Sequence, residues 1–170
     1  MKEGKESGVK HPIGCLTPSI SPLLKLIEFI SYCLIPNHYH FILKQLIENG
    51  IEKFMHKLGT GYTNFFNRKY ERTGSLFENT FKSIEVKSDN YLIYLSGYIN
   101  GNIEIHKICK AENWPWSSYK NYLGLRKGTL CTKNIILNDF KNIEDYRSYV
   151  NIIIKESKQR KDDIKKYLLE

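Results

Sequence analysis

The sequence predicts an α+β domain, and three patterns carry that expectation. Residues 29–35 are rich in the β-branched and aromatic side chains that suit a pleated strand. Pro36 and Asn37 then break the run, and residues 38–43 resume it, so the two segments read as a hairpin. From Ile51, apolar side chains recur at Phe54, Met55, Leu58, Tyr62, Phe65 and Phe66, the three-and-four spacing of an amphipathic helix that ends near Tyr70.

The elements follow in order. Residues 1–26 mix Gly, Ser, Pro and Lys without a period and read as a loose N-terminal segment. A domain over residues 27–124 and a helical C-terminal extension over 125–170 follow it. In the hairpin, side chains alternate between faces, so His38 and His40 point one way and Tyr39 and Phe41 the other. Two imidazoles side by side suit a metal ion, although such a pair also occurs at a sheet edge with no ligand. Gly59 and Gly61 should weaken or kink the first helix. After the break at residues 72–75, residues 76–86 alternate around Phe81, Ile84 and Val86 and read as a third strand. Ser88 offers an N-cap to a second helix carrying Tyr91, Tyr94, Leu95, Tyr98, Ile99 and Asn102. Tyr98 and Asn102, four apart, share a face of it. Trp114-Pro115-Trp116-Ser117-Ser118-Tyr119 forms an aromatic turn into a short helix, and the remainder reads as one or two helices.

Composition bounds the function. A length of 170 residues supports one domain with a core of its own. No apolar run approaches the roughly eighteen residues of a membrane span, and the first residues lack the apolar stretch of a secretory signal, so a cytoplasmic protein with no membrane partner is expected. The four cysteines, Cys15, Cys33, Cys109 and Cys131, are scattered, which argues against a zinc knuckle or a disulfide framework. Lys and Arg number 26 against 18 Asp and Glu, and this net charge of +8 favours a polyanion, with nucleic acid foremost.

Four motifs in order carry a resemblance: Pro36-Asn37-His38-Tyr39-His40; Asn67-Arg68-Lys69-Tyr70 with Gly74-Ser75-Leu76-Phe77 and Phe81-Lys82-Ser83; Tyr98-Ile99 with Asn102; and Trp114 to Tyr119. Together they resemble the REP-associated tyrosine transposases, the transposase-like branch of the single-tyrosine HUH endonucleases. The resemblance runs from about Ile27 to Gly124. It implies a ferredoxin-like antiparallel sheet with helices packed on it, acting on single-stranded or hairpin DNA. It also implies that Tyr98 is the nucleophile that nicks and rejoins DNA through a 5′-phosphotyrosine, with a divalent metal on His38 and His40 and Asn102 as third ligand.

The residue types suit that chemistry. A phenolate is a tolerable leaving group as well as a nucleophile, which a reversible cut requires. Imidazoles with an amide oxygen suit Mg²⁺ or Mn²⁺, with Mn²⁺ the better match to imidazole. Arg68, Lys69, Arg72 and Lys82 are candidates to neutralise DNA phosphates, although a basic cluster is also an ordinary solvated face. Tyr62, Phe65, Phe66 and Phe77 are able to stack on bases, but most are better assigned to the core. His56 and His106 read as surface or packing residues, and His11 lies in the loose segment.

Two departures from the family pattern stand out. Ile103 and Lys107 occupy places where the family has proline and glycine. More consequentially, residues 1–27 show no copy of the family's opening strand and helix, so the N-terminal βα unit reads as missing or degenerate. That would leave the histidine strand with an unpaired edge unless residues 9–20 or a second subunit, in a homodimer, supply the partner. The alternatives are a truncated or repurposed DNA- or RNA-hairpin-binding protein without catalysis, or a metal-dependent hydrolase. Ile42, where a third alternate histidine would stand, counts against a histidine-triad version of the latter.

Overall fold

The computed structural model describes residues 25–167; the loose segment, with any strand within residues 9–20, lies outside them. Strands β1 (Ile27–Leu34) and β2 (Tyr39–Gln45) pair antiparallel, with Cys33 opposite His40, Leu34 opposite Tyr39, and a bulge between Phe29 and Ser31. Residues paired across strands share a face. Ser31, Cys33, His40 and Ile42 therefore look to one side. Phe29, Tyr32, Tyr39 and Phe41 look to the other, where the Phe29 and Phe41 rings meet edge-on at 5.4 Å and Tyr39 stacks on Phe41 at 4.7 Å.

Helices cover both faces. The start of α1 (Gly50–Lys69) sets Phe54 against Phe29 at 5.4 Å on the aromatic side. On the other side lies α2 (Asp89–Ile105), whose Ile99 and Ile103 share a core with Ile30, Cys33 and Ile42. Ser88 caps it as expected, its Oγ accepting the Tyr91 N–H at 3.3 Å. The short helices α3 (Tyr119–Tyr122) and α4 (Asn134–Leu137) lead to the long α5 (Ile143–Tyr167). Its Tyr146, Val150 and Ile154 enter that same core. This is the α+β architecture the sequence predicts, an antiparallel sheet with helices on it and a helical C-terminal region.

Glycines let α5 approach α2. A Cβ at Gly101 would lie 2.5 Å from Ile154 Cγ1, and one at Gly97 would lie 3.3 Å from Ile153 and Tyr149. Nothing stands within 4 Å of a Cβ at Gly61 on exposed α1. The two sites should respond with opposite sign. Gly101→Leu is expected to destabilise the fold by about 1–3 kcal/mol through overpacking. Gly61→Ala should stabilise it by up to about 1 kcal/mol through helix propensity. Urea unfolding of the two variants measures both.

A buried polar chain ties the layers together. Asn100 Nδ2 donates to the Tyr146 hydroxyl at 2.7 Å, and Ser118 Oγ donates to Asn100 Oδ1 at 2.6 Å. The Trp114–Tyr119 motif runs along the edge of β1 away from β2. There Leu34 N–H donates to the Trp116 carbonyl, Ser118 N–H to the Tyr32 carbonyl, and Trp114 Nε1 to the Leu34 carbonyl, at 2.8–2.9 Å. Further along, Thr132 N–H donates to Phe29. That edge is occupied, so β1 is shielded on both sides.

One expectation is corrected. Residues 76–86 form no strand: alternation supplies the faces but not a neighbour, and among the described residues none lies alongside to complete a ladder. The segment is exposed, Ile84 at 82%. Its turn is held locally, with Asn67 Nδ2 donating to the Gly74 carbonyl and Ser75 Oγ to that of Phe77. Helix α1 is continuous through Gly59 and Gly61.

Candidate metal and nucleic-acid site

The turn at residues 35–38 closes with Ile35 N–H donating to the His38 carbonyl at 2.8 Å. It thus fixes where the first imidazole emerges. Asn37 Oδ1 lies 2.7 Å from His38 Nδ1, which puts the proton there and leaves the lone pair on Nε2. His40 follows on the same face, the two ring centroids 5.0 Å apart. His38 is exposed and His40 half-buried.

Helix α2 carries the other expected residues. Tyr98 is half-buried and stacks on Tyr94 at 6.4 Å. One turn later Asn102 is fully buried, and neither its Oδ1 nor its Nδ2 has a hydrogen-bond partner. Asn100, two residues earlier and equally buried, has its amide satisfied on both sides. An unpaired buried amide costs about 1–3 kcal/mol, so the Asn102 side chain is unfavourable for the fold where it stands.

His106 is exposed, in keeping with its reading as a surface or packing residue. It caps the C-terminus of α2 one turn past Asn102 and stands 5.4 Å from the His38 ring. Lys161 from α5 comes within 3.3 Å of its Nε2. The signal for His106 was its spacing of four from Asn102; Lys161, 55 residues further on, had none. His106 Nε2 lies against Lys161, and among the described residues no three His, Cys, Asp or Glu side chains are grouped to hold a metal. Two imidazoles and the orphaned Asn102 amide are the donor set present, and they fit a divalent ion of mixed nitrogen and oxygen preference.

His40 is held below the ordinary imidazole range, first by burial and then by the positive charge of His38, His106 and Lys161. The unfolded chain takes up a proton near the ordinary pKa of about 6.5, whereas folded His40 resists it, so stability falls as pH drops through that value until folded His40 itself titrates. The urea midpoint is expected to be lower at about pH 5.5 than at about pH 7.5, and His40→Gln should narrow the difference.

The basic candidates do not join this cluster. Arg68 and Lys69 end α1, and Arg72 lies in the turn beyond it. Lys82 does line a groove with His40, of about 640 Å³, running along the outer edge of β2 between Met55 of α1 and Leu95 of α2. The aromatic candidates depart from the sequence reading: Tyr62, Phe65 and Phe77 are exposed at 48%, 58% and 38%, and Phe66 is only half-buried. Their spacing marks one helix face, but the sheet ends before α1 does, so the face continues past anything that covers it.

Hairpin, imidazole pair and tyrosine-bearing helix together define an α+β domain. Residues 24–102 match the family model described as "Transposase IS200 like". The match spans the hairpin, α1, the loop and α2, and ends on Asn102. No curated protein and no solved structure matches the chain. No helix among the described residues is long and apolar enough to cross a membrane.

Proposed function

We propose that the chain is a metal-dependent single-strand DNA nicking and rejoining enzyme of the REP-associated tyrosine transposase type. The observation that carries the reading is the buried, unpartnered amide of Asn102, one helical turn from Tyr98 on the helix packed over the His38–His40 strand. The family match over residues 24–102 supports it.

In this reading the Tyr98 hydroxyl gives up its proton and its oxygen attacks a phosphodiester phosphorus. The bond to the 3′ oxygen breaks, that oxygen takes a proton, and the 5′ side remains as a phosphotyrosine. Rejoining runs the same exchange backwards. His38, His40 and Asn102 would hold Mg²⁺ or Mn²⁺, which when bound supplies Lewis-acid stabilisation of phosphate charge. The hydrogen bond from His38 to Asn37 orients the ring, and Lys161 adds positive charge where a phosphate would sit.

The test is incubation with labelled single-stranded hairpin DNA from the flanks of its own gene and Mn²⁺, followed by a denaturing gel. A protein–DNA band that chelator abolishes supports the reading. Binding without a band would favour a repurposed hairpin-binding protein. Cleavage without a band would favour the hydrolase.

A further inference from the structure

We propose that the exposed aromatic face of the second half of α1, with Phe77 beside it, is a stacking platform for the unpaired bases of a single-stranded nucleic acid. The proposal rests on the DNA reading above and adds to it a place where bases, as opposed to phosphates, are held.

Four observations carry it. First, α1 buries only Gly50 and Met55 of its 20 residues, so its later turns stand clear of the sheet. Phe65 is 58% and Tyr70 56% exposed. Contiguous rings left in water are a recognition surface far more often than an accident. Second, the rings touch in a continuous series. Tyr62 meets Phe65, Phe66 and Phe77 at 6.2–6.3 Å, and Phe66 meets Tyr70 at 4.4 Å, at tilts of 30–48°. Tilted neighbours leave ring faces open, which is what a base requires.

Third, cations are interleaved with the rings. Lys69 Nζ lies 5.9 Å from the Phe65 centroid and 5.4 Å from that of Tyr70, and the Arg72 guanidinium lies 5.6 Å from Phe66. Residues 57–82 carry five Lys and Arg against two Asp and Glu. Among the described residues neither Arg68, Lys69, Arg72 nor Lys82 makes an ion pair. The core of a protein–protein interface is depleted of charge. Rings alternating with unpaired cations fit a chain that alternates bases with phosphates.

Fourth, the platform is continuous with the imidazole side. Phe77 meets Tyr39 at 6.1 Å, and Tyr39 shares the groove on the outer edge of β2 with His40 and Lys82. That groove carries Lys44, Lys82 and Lys87 against Glu85 and Asp89, a small excess of positive charge along the way from the rings to His40.

Fluorescence anisotropy with the full chain tests this, using a labelled single-stranded oligonucleotide and a length-matched abasic strand. Phe65→Ala and Tyr70→Ala are each expected to weaken binding of the base-bearing strand by roughly 5- to 150-fold. They should leave abasic binding and the salt slope unchanged, and Phe65→Trp should retain affinity. Lys69→Ala should instead weaken both strands and reduce the slope by about 1. Wild-type binding that the aromatic variants leave intact, or that favours both strands equally, overturns the platform and leaves the DNA reading standing. Failure of the wild type to bind either strand overturns both. Aromatic variants with altered oligomeric mass or lowered thermal stability would show that protein packs on this face, and would also overturn the platform.

Discussion

Tyr98→Phe is expected to abolish the covalent protein–DNA band while leaving DNA affinity within about twofold of wild type. The substitution removes one oxygen from a half-buried ring whose neighbour, Tyr94, stacks on it through its face. Packing is therefore preserved and the proposed nucleophile is lost. Removing a nucleophile costs on the order of 10³-fold or more in rate, against which a changed hydrogen bond of about 1 kcal/mol is small. Adduct yield on a denaturing gel, read beside anisotropy with the same oligonucleotide, separates the two. An adduct that persists in Tyr98→Phe and disappears in Tyr94→Phe or Tyr91→Phe would move the chemistry along the same helix. Those three rings follow one another at 6.3 and 6.4 Å, so such a displacement is a real competitor.

Asn102→Leu should give the second large effect, and its sign is unusual for a buried polar residue. Leucine has the same branching and the same number of heavy side-chain atoms, so it fits the space while removing two polar atoms that no neighbour satisfies. Without metal the variant is expected to be more stable by about 1–3 kcal/mol. That corresponds to a rise in Tm of several degrees for a chain of this size. Saturating Mn²⁺ should raise the Tm of the wild type, by about 2.7 kcal/mol equivalent at a hundredfold excess over Kd, and should do much less for the variant. Calorimetric scans of both proteins with Mn²⁺ and with chelator distinguish the cases. A variant less stable than wild type in chelator would show that the amide serves the fold.

Much of this arrangement was legible in the sequence because it rests on local rules. Period-two alternation around Pro36-Asn37 gives the hairpin and puts His38 and His40 on one face, and Ser88 announces the second helix. What failed did so for want of a neighbour. Residues 76–86 alternate well, but a strand is a relation between two segments, and alternation describes only one. Tyr62, Phe65 and Phe66 obey helical spacing, yet spacing says which residues share a face, not whether anything lies against it. His106 had a signal in its distance from Asn102, but that signal acquires meaning only once α2 is laid across the hairpin. Lys161 was invisible, because the packing of α5 is written in Gly97 and Gly101 of another helix.

Those two glycines bear on how far the proposed activity is portable. The stretch that matches the transposase family ends on Asn102, yet the unit that folds does not end there. The helix carrying Tyr98 has a second side, cut flat by Gly97 and Gly101 and roofed by Ile153 and Ile154. A graft carrying only the matched stretch would take the tyrosine, the amide and both hairpin histidines, and would leave Asn100 and a bare backbone groove in water. Any transplant of the chemistry to another scaffold has to bring along the last third of the chain, or redesign the back of the helix it leaves exposed.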